Sequence, residues 1–153
     1  CIRRVRRAFR GRVFIGSPAR PVTAQGQGRD VVHGAPLIYV HSKVCVFDDR
    51  LALVSSANLN GRSLHWDTEV GVPFRDPGTV ARLRSRCMSA MLGPDVDPAP
   101  FTGPADVVGQ WQRLAIENAR KRPEERHGFV LPHLSRPSRL FGRRLPTVPE
   151  EMV

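Results

Sequence analysis

His41 and Lys43 stand two residues apart in the run His41-Ser42-Lys43-Val44-Cys45-Val46-Phe47-Asp48, and Ser56-Ala57-Asn58 and Arg62-Ser63 follow. An imidazole can carry a proton or a phosphoryl group near neutral pH, and an ammonium beside it can hold phosphate oxygens. These types at this spacing suit cleavage of a phosphodiester. The competing interpretation is a buried strand whose histidine faces a polar pocket.

The elements around these residues must put them side by side. From Leu37 to Phe47 the composition is β-branched and aromatic, which predicts a strand packed on both faces. A period of two sends Tyr39, His41, Lys43, Cys45 and Phe47 to one side. Asp48 falls on the opposite parity and opens a turn with Asp49 and Arg50, so parity gives it a structural place. Leu51 to Val54 is expected to return as the hairpin partner. Ser55 to Ser63 is polar and contains Gly61, which predicts a loop or helix start with backbone N–H groups free for a phosphate. Thr68 to Val72 is expected to be a further strand, with the Glu69 carboxylate pointing away from Val70 and Val72.

Elsewhere, residues 11 to 16 predict a short strand and the stretch through Pro21, Gly26, Gly28 and Gly34 a loop. Asp76-Pro77 predicts a helix start, with Val80, Leu83, Cys87 and Met91 at helical spacing up to a stop at Gly93. Asp106 is the expected cap of a second helix bearing Val107, Trp111, Leu114 and Asn118 on one face. Met88 and Met91 are expected in the core, and Trp66 is expected to pack rather than line an entrance. His33, His127 and His133 fall in a loop and a tail where an imidazole needs no special role.

A length of 153 residues with 41% hydrophobic content points to one domain that can bury a core without disulfides. Cys1, Cys45 and Cys87 have no metal-ligand spacing, and no metal or cofactor is called for. No apolar run approaches the roughly 20 residues needed to span a bilayer, so the chain reads as cytoplasmic or peripheral to a membrane, with secretion left open. A formal charge of +10 favours anionic partners, phospholipid headgroups or nucleic acid. Much of it lies at the ends, in Arg3, Arg4, Arg6, Arg7, Arg10 and Arg12 and in Arg136, Arg139, Arg143 and Arg144. These arginines read as solvated faces and a flexible tail, with membrane contact as the second interpretation.

Placed this way, the chain resembles the phospholipase D superfamily, whose signature is His-x-Lys-x4-Asp followed by a Gly-Ser-x-Asn segment. The likeness covers roughly Ile38 to Val72. It implies an α/β fold, a mixed sheet flanked by helices, forming one motif-bearing half of a two-lobed protein. It also implies a catalytic set of His41, Lys43, Asp48 and Glu69, with Lys43, Ser56 and Asn58 on the substrate phosphate and Glu69 orienting the histidine. Ser55 departs from the family's glycine, and serine would cost free energy if that backbone required positive φ. Ser-Ala-Asn-Leu-Asn-Gly-Arg-Ser and Asp-Thr-Glu-Val look like bacterial phospholipases D and cardiolipin synthases.

In that family two motifs meet at one site, where one histidine attacks phosphorus and the other protonates the leaving alcohol. None of His33, His65, His127 and His133 has a lysine two residues later, so this chain supplies one motif. The second is expected from a missing N-terminal region or from a homodimer partner. Residues 1–122 are then the C-terminal catalytic domain of a longer chain, and residues 123–153 a Pro/Arg-rich tail. The resemblance implies action on phospholipid diesters at a membrane surface, by hydrolysis or by transfer to an alcohol. A nuclease, or a non-catalytic module binding anionic lipid or nucleic acid, are the alternatives.

Overall fold

Ile2, Val5 and Phe9 recur at helical spacing among arginines, which are good helix formers. In the computed structural model, which describes residues 2–103 and 106–134, the basic start is accordingly a helix, α1 (Ile2–Phe9). The chain continues through β1 (Gly16–Pro18), β2 (Val31–Val32), β3 (Ala35–Pro36), β4 (Lys43–Phe47), β5 (Leu51–Ser55), α2 (Gly61–His65), β6 (Gly71–Phe74) and α3 (Pro77–Leu92). It ends with α4 (Ala99–Thr102), α5 (Val107–Arg120), a 3-10 turn (Pro123–Glu125) and β7 (Val130–Pro132). The result is mixed α/β, with small antiparallel sheets and helices. Arg136, Arg139, Arg143, Arg144 and the rest of the expected tail beyond Leu134 lie outside the described residues.

Length alone predicts one domain, but the chain divides into two compact units, one of segments 2–39 and 84–134 and the other of Val40–Leu83. In the first, β1 pairs with β7 and the β2–β3 hairpin turns through His33 and Gly34. Both turn residues have positive φ, 47° and 77°, as a tight hairpin with right-handed strand twist requires. Leu92, Phe101, Trp111, Ala115 and Val130 form the larger buried cluster, with Met88 and Met91 packed against it as expected. The Phe101 and Trp111 rings meet edge to face at 5.2 Å.

Residues after Pro123 were expected to be irregular, yet Val130 and Leu131 are buried and β7 completes a sheet. A buried amide causes this. Asn118, 1% exposed on α5, donates to the carbonyls of His127 (2.7 Å) and Val130 (3.3 Å) and accepts from the His127 N–H (3.0 Å). Arg126 donates to the carbonyls of Asn118 and Lys121, satisfying the end of α5, and to that of His33. His133 also has a structural place, with Nδ1 2.8 Å from Ser17 Oγ. Asp106 does not cap α5 through its side chain; its carboxylate binds Arg113 at 2.8 Å instead.

The helix start at Asp76 is as expected. Its carboxylate accepts from the Thr79 N–H at 2.8 Å, and Gly93 ends α3 with φ 76°. Hydrogen bonds from Thr79 hold the Asp76 carboxyl below its ordinary range. A depressed folded-state pKa gives stability that is present above the unfolded pKa and lost as pH falls through the folded one. The stability deficit of Asp76→Ala in thermal melts is therefore expected at neutral pH and should shrink towards zero at acid pH. Asn118→Leu should cost about 2 kcal/mol or more, because buried backbone groups lose their partners. A lowered urea midpoint at unchanged denaturant slope would show it.

Candidate active site

Register assembles the site within the Val40–Leu83 unit. Lys43 opens β4 opposite Ser55, the last residue of β5, and Ser55 in turn faces Gly71, the first residue of β6. His41 therefore precedes one strand, Ser56-Ala57-Asn58 follows the next, and Glu69 precedes the third, all at one end of the sheet.

The strand expected over Leu37 to Phe47 is shorter than its composition suggested. Leu37 makes only an isolated bridge to Ala19, residues 38–42 are irregular, and pairing resumes at Lys43. His41 and Lys43 are nevertheless brought together, through the lysine side chain rather than strand parity. Lys43 Nζ lies 2.9 Å from the His41 carbonyl oxygen and 3.1 Å from His41 Nε2. An ammonium can only donate, so with Lys43 charged Nε2 accepts, and the proton of a neutral ring sits on Nδ1.

Ser56 is the knot of the loop. Its N–H donates to the Val70 carbonyl at 2.9 Å, while its hydroxyl accepts from the Val70 N–H at 3.0 Å and donates to Glu69 Oε2. The β5–β6 ladder is thus carried one step further by a side chain. This corrects the expected phosphate cradle, since the Ser56 N–H is committed to Val70 and the Ala57 N–H donates to Ser55 Oγ at 2.9 Å. Asn58, two residues on from Ser56, is exposed.

Asn60 caps α2 by accepting from the Ser63 N–H at 2.8 Å, and Arg62 Nε binds Asp67 at 3.0 Å, stapling α2 to the segment that leads to Glu69. The strand expected at Thr68 to Val72 begins only at Gly71 and runs through Pro73. Proline is tolerated there because β6 is an edge strand.

Two further residues differ from expectation. Asp48 sits at φ 50° in the turn joining β4 to β5, at the other end of the hairpin from Lys43. Five steps of chain separate it from Lys43, and the first four, along β4, already span roughly 13 Å, so the structure does not bring it to the histidine–lysine pair. Trp66 is 65% exposed rather than packed. Ser55 adopts no positive φ and lies in β5, so it carries no strain from lacking a glycine. Among the described residues no group of three or more His, Cys, Asp and Glu side chains could hold a metal ion.

Comparison with known proteins gives a family likeness. Residues 22–90 match the family described as cardiolipin synthase, PLD-like domain. This likeness supports membership of the phospholipase D superfamily. It is 54% identical over 45 residues to phospholipase D zeta 1 of Arabidopsis thaliana, covering 28% of this chain and 4% of that protein. It is 40% identical over 89 residues to phospholipase D1 of Schizosaccharomyces pombe (47% and 6%), and 35% identical over 103 residues to phospholipase D2 of Bos taurus (54% and 11%). The chain thus spans a small fraction of these relatives' lengths. No solved structure matches it.

The hydrogen bond from Lys43 makes a spectroscopic prediction. In 15N NMR of the histidine rings at neutral pH, His41 Nε2 should show the shift of an unprotonated nitrogen, and Lys43→Met should change that shift. A protonated Nε2 in the unliganded protein would contradict this tautomer.

Proposed function

We propose that this chain supplies one of the two His-x-Lys motifs of a phospholipase D-type phosphodiesterase or phosphatidyltransferase acting on phospholipids. The observation that carries the proposal is the contact between Lys43 Nζ and His41 Nε2 beside Ser56, Asn58 and Glu69. The second motif comes from another part of a longer protein or from a second copy of the chain.

One histidine attacks phosphorus through a ring nitrogen, the bond from phosphorus to the leaving alcohol breaks, and the other histidine protonates that alcohol. Water or an acceptor alcohol then displaces the phosphohistidine. His41 fits the acid. A phosphate arriving beside it competes for the Lys43 ammonium, and Lys43 turning to the non-bridging oxygens frees Nε2 to take up the proton it later gives. Lys43 and Asn58 hold the charge that builds on those oxygens in the transition state. Glu69 would leave Ser56 to bind Nδ1–H of the imidazolium, fixing its orientation and stabilising its charge.

Charge within the unit is balanced. Lys43, Arg50, Arg62, Arg75 and Arg82 are matched by Asp48, Asp49, Asp67, Glu69 and Asp76. The non-catalytic reading loses its one sequence-level hint, since Ser55 fits the strand without strain.

In the assembled enzyme, His41→Ala should lower EDTA-resistant phosphodiester turnover by about a hundred- to ten-thousand-fold, the usual worth of such a proton transfer. Near-normal turnover in that variant would sink the assignment. Glu69→Gln should slow the reaction and move its pH–rate profile; an unmoved profile would remove Glu69 from histidine positioning. Measuring mass with activity on this chain alone separates the two sources of the second motif. Activity travelling with a dimer points to a second copy, and a folded inactive monomer points to another part of a longer protein.

A further inference from the structure

The basic excess of the chain does not sit on the unit that holds His41 and Lys43. It sits on the other one. No acidic residue occurs before Asp30, while Arg3, Arg4, Arg6, Arg7, Arg10 and Arg12 are all exposed on α1 and the segment that follows it. Within that same unit Arg12 borders a groove of about 440 Å³ whose walls include Phe14, Met88, Met91, Val108 and Trp111. This volume lies within the roughly 300–1,000 Å³ typical of ligand sites. The walls are apolar, two of them are methionines that adapt to a flexible ligand, and the polar group at the edge is a guanidinium suited to phosphate. Ile2 and Val5 lie half-buried along α1 while its arginines face solvent, so the helix presents its cationic side outward, towards any anionic surface.

We propose that the groove takes one acyl chain of an anionic phospholipid while Arg12 and the arginines of α1 hold headgroups, giving this unit a membrane-holding site on a different unit from the phosphodiester chemistry. An apolar slot beside a run of unopposed cations matches a ligand that is apolar at one end and anionic at the other. Charge alone explains adsorption to a surface, but it does not explain why the apolar groove opens beside the arginines. The proposal does not rest on the catalytic reading.

The chain has two tryptophans, Trp66 and Trp111, so Trp66→Phe leaves Trp111, in the groove wall, as the reporter. Vesicles of phosphatidylcholine with phosphatidic acid carrying brominated acyl chains are the probe. Phosphatidic acid contains no phosphodiester and cannot be turned over by the proposed reaction. Flotation with these vesicles and quenching of Trp111 are expected, with neither on phosphatidylcholine alone. Val108→Phe, which fills the groove, should remove most of the quenching. Arg12→Glu should weaken binding about tenfold, given about 1 kcal/mol for each basic side chain near an anionic surface. His41→Ala should leave both readouts unchanged while abolishing turnover, which separates failure here from failure of the catalytic proposal. Flotation with Trp111 unquenched would reduce the site to charge adsorption and overturn the proposal. Equal binding to phosphatidylcholine, or no binding, would overturn it as well.

Discussion

Pairing Lys43 with Ser55, and Ser55 with Gly71, brings three segments separated by up to about thirty positions in sequence to one end of one sheet. The side-chain period of a strand is two, so a slip of one residue would turn Lys43 to the opposite face and away from its partners. Ser56 secures the register where the backbone ladder stops. Its hydroxyl occupies the place of a carbonyl towards Val70 and binds the carboxylate of Glu69 in the same geometry. A residue that resembles a phosphate ligand therefore also holds the acidic residue at this end of the sheet.

The two units divide the electrostatic work. The Val40–Leu83 unit carries as many acidic as basic residues, and beside His41 the short directed contacts are those of Lys43 Nζ. In the other unit no acidic residue opposes the cations before Asp30, so its field reaches further and weakens with salt. A single net charge for the chain conceals this division.

Much of the architecture could be read from local chemistry. The cap at Asp76, the stop at Gly93, the β4–β5 hairpin and the core methionines follow from residue type and spacing alone. What could not be read depends on long-range partners. Leu37 to Val40 has strand composition but finds only one bridge, from Leu37 to Ala19. The His33-Gly34 turn was hidden in a glycine-rich stretch, since histidine is a less common occupant of positive φ than asparagine. Residues 126–132 looked irregular because their order comes from one distant amide, Asn118, which carries no signal in the local pattern. At the site the residue types were legible, but their bonds were not: nothing in the sequence shows that Ser56 holds Glu69 or that the Ser56 N–H is spent on Val70.

Ser55 shows why a departure from a family pattern needs its structural context. A glycine can be required for backbone freedom or for space, and only the first would make serine costly everywhere. Here φ is not positive, so the question reduces to space. The residue paired with Ser55 across the ladder is Gly71, and a Cβ placed there would lie 3.1 Å from Leu53 Cδ1, a tight contact, and 3.4 Å from Ser55 Cβ and Oγ, an ordinary one. The crossing leaves room for the Ser55 hydroxyl, which accepts from the Ala57 N–H and shapes the turn into Asn58.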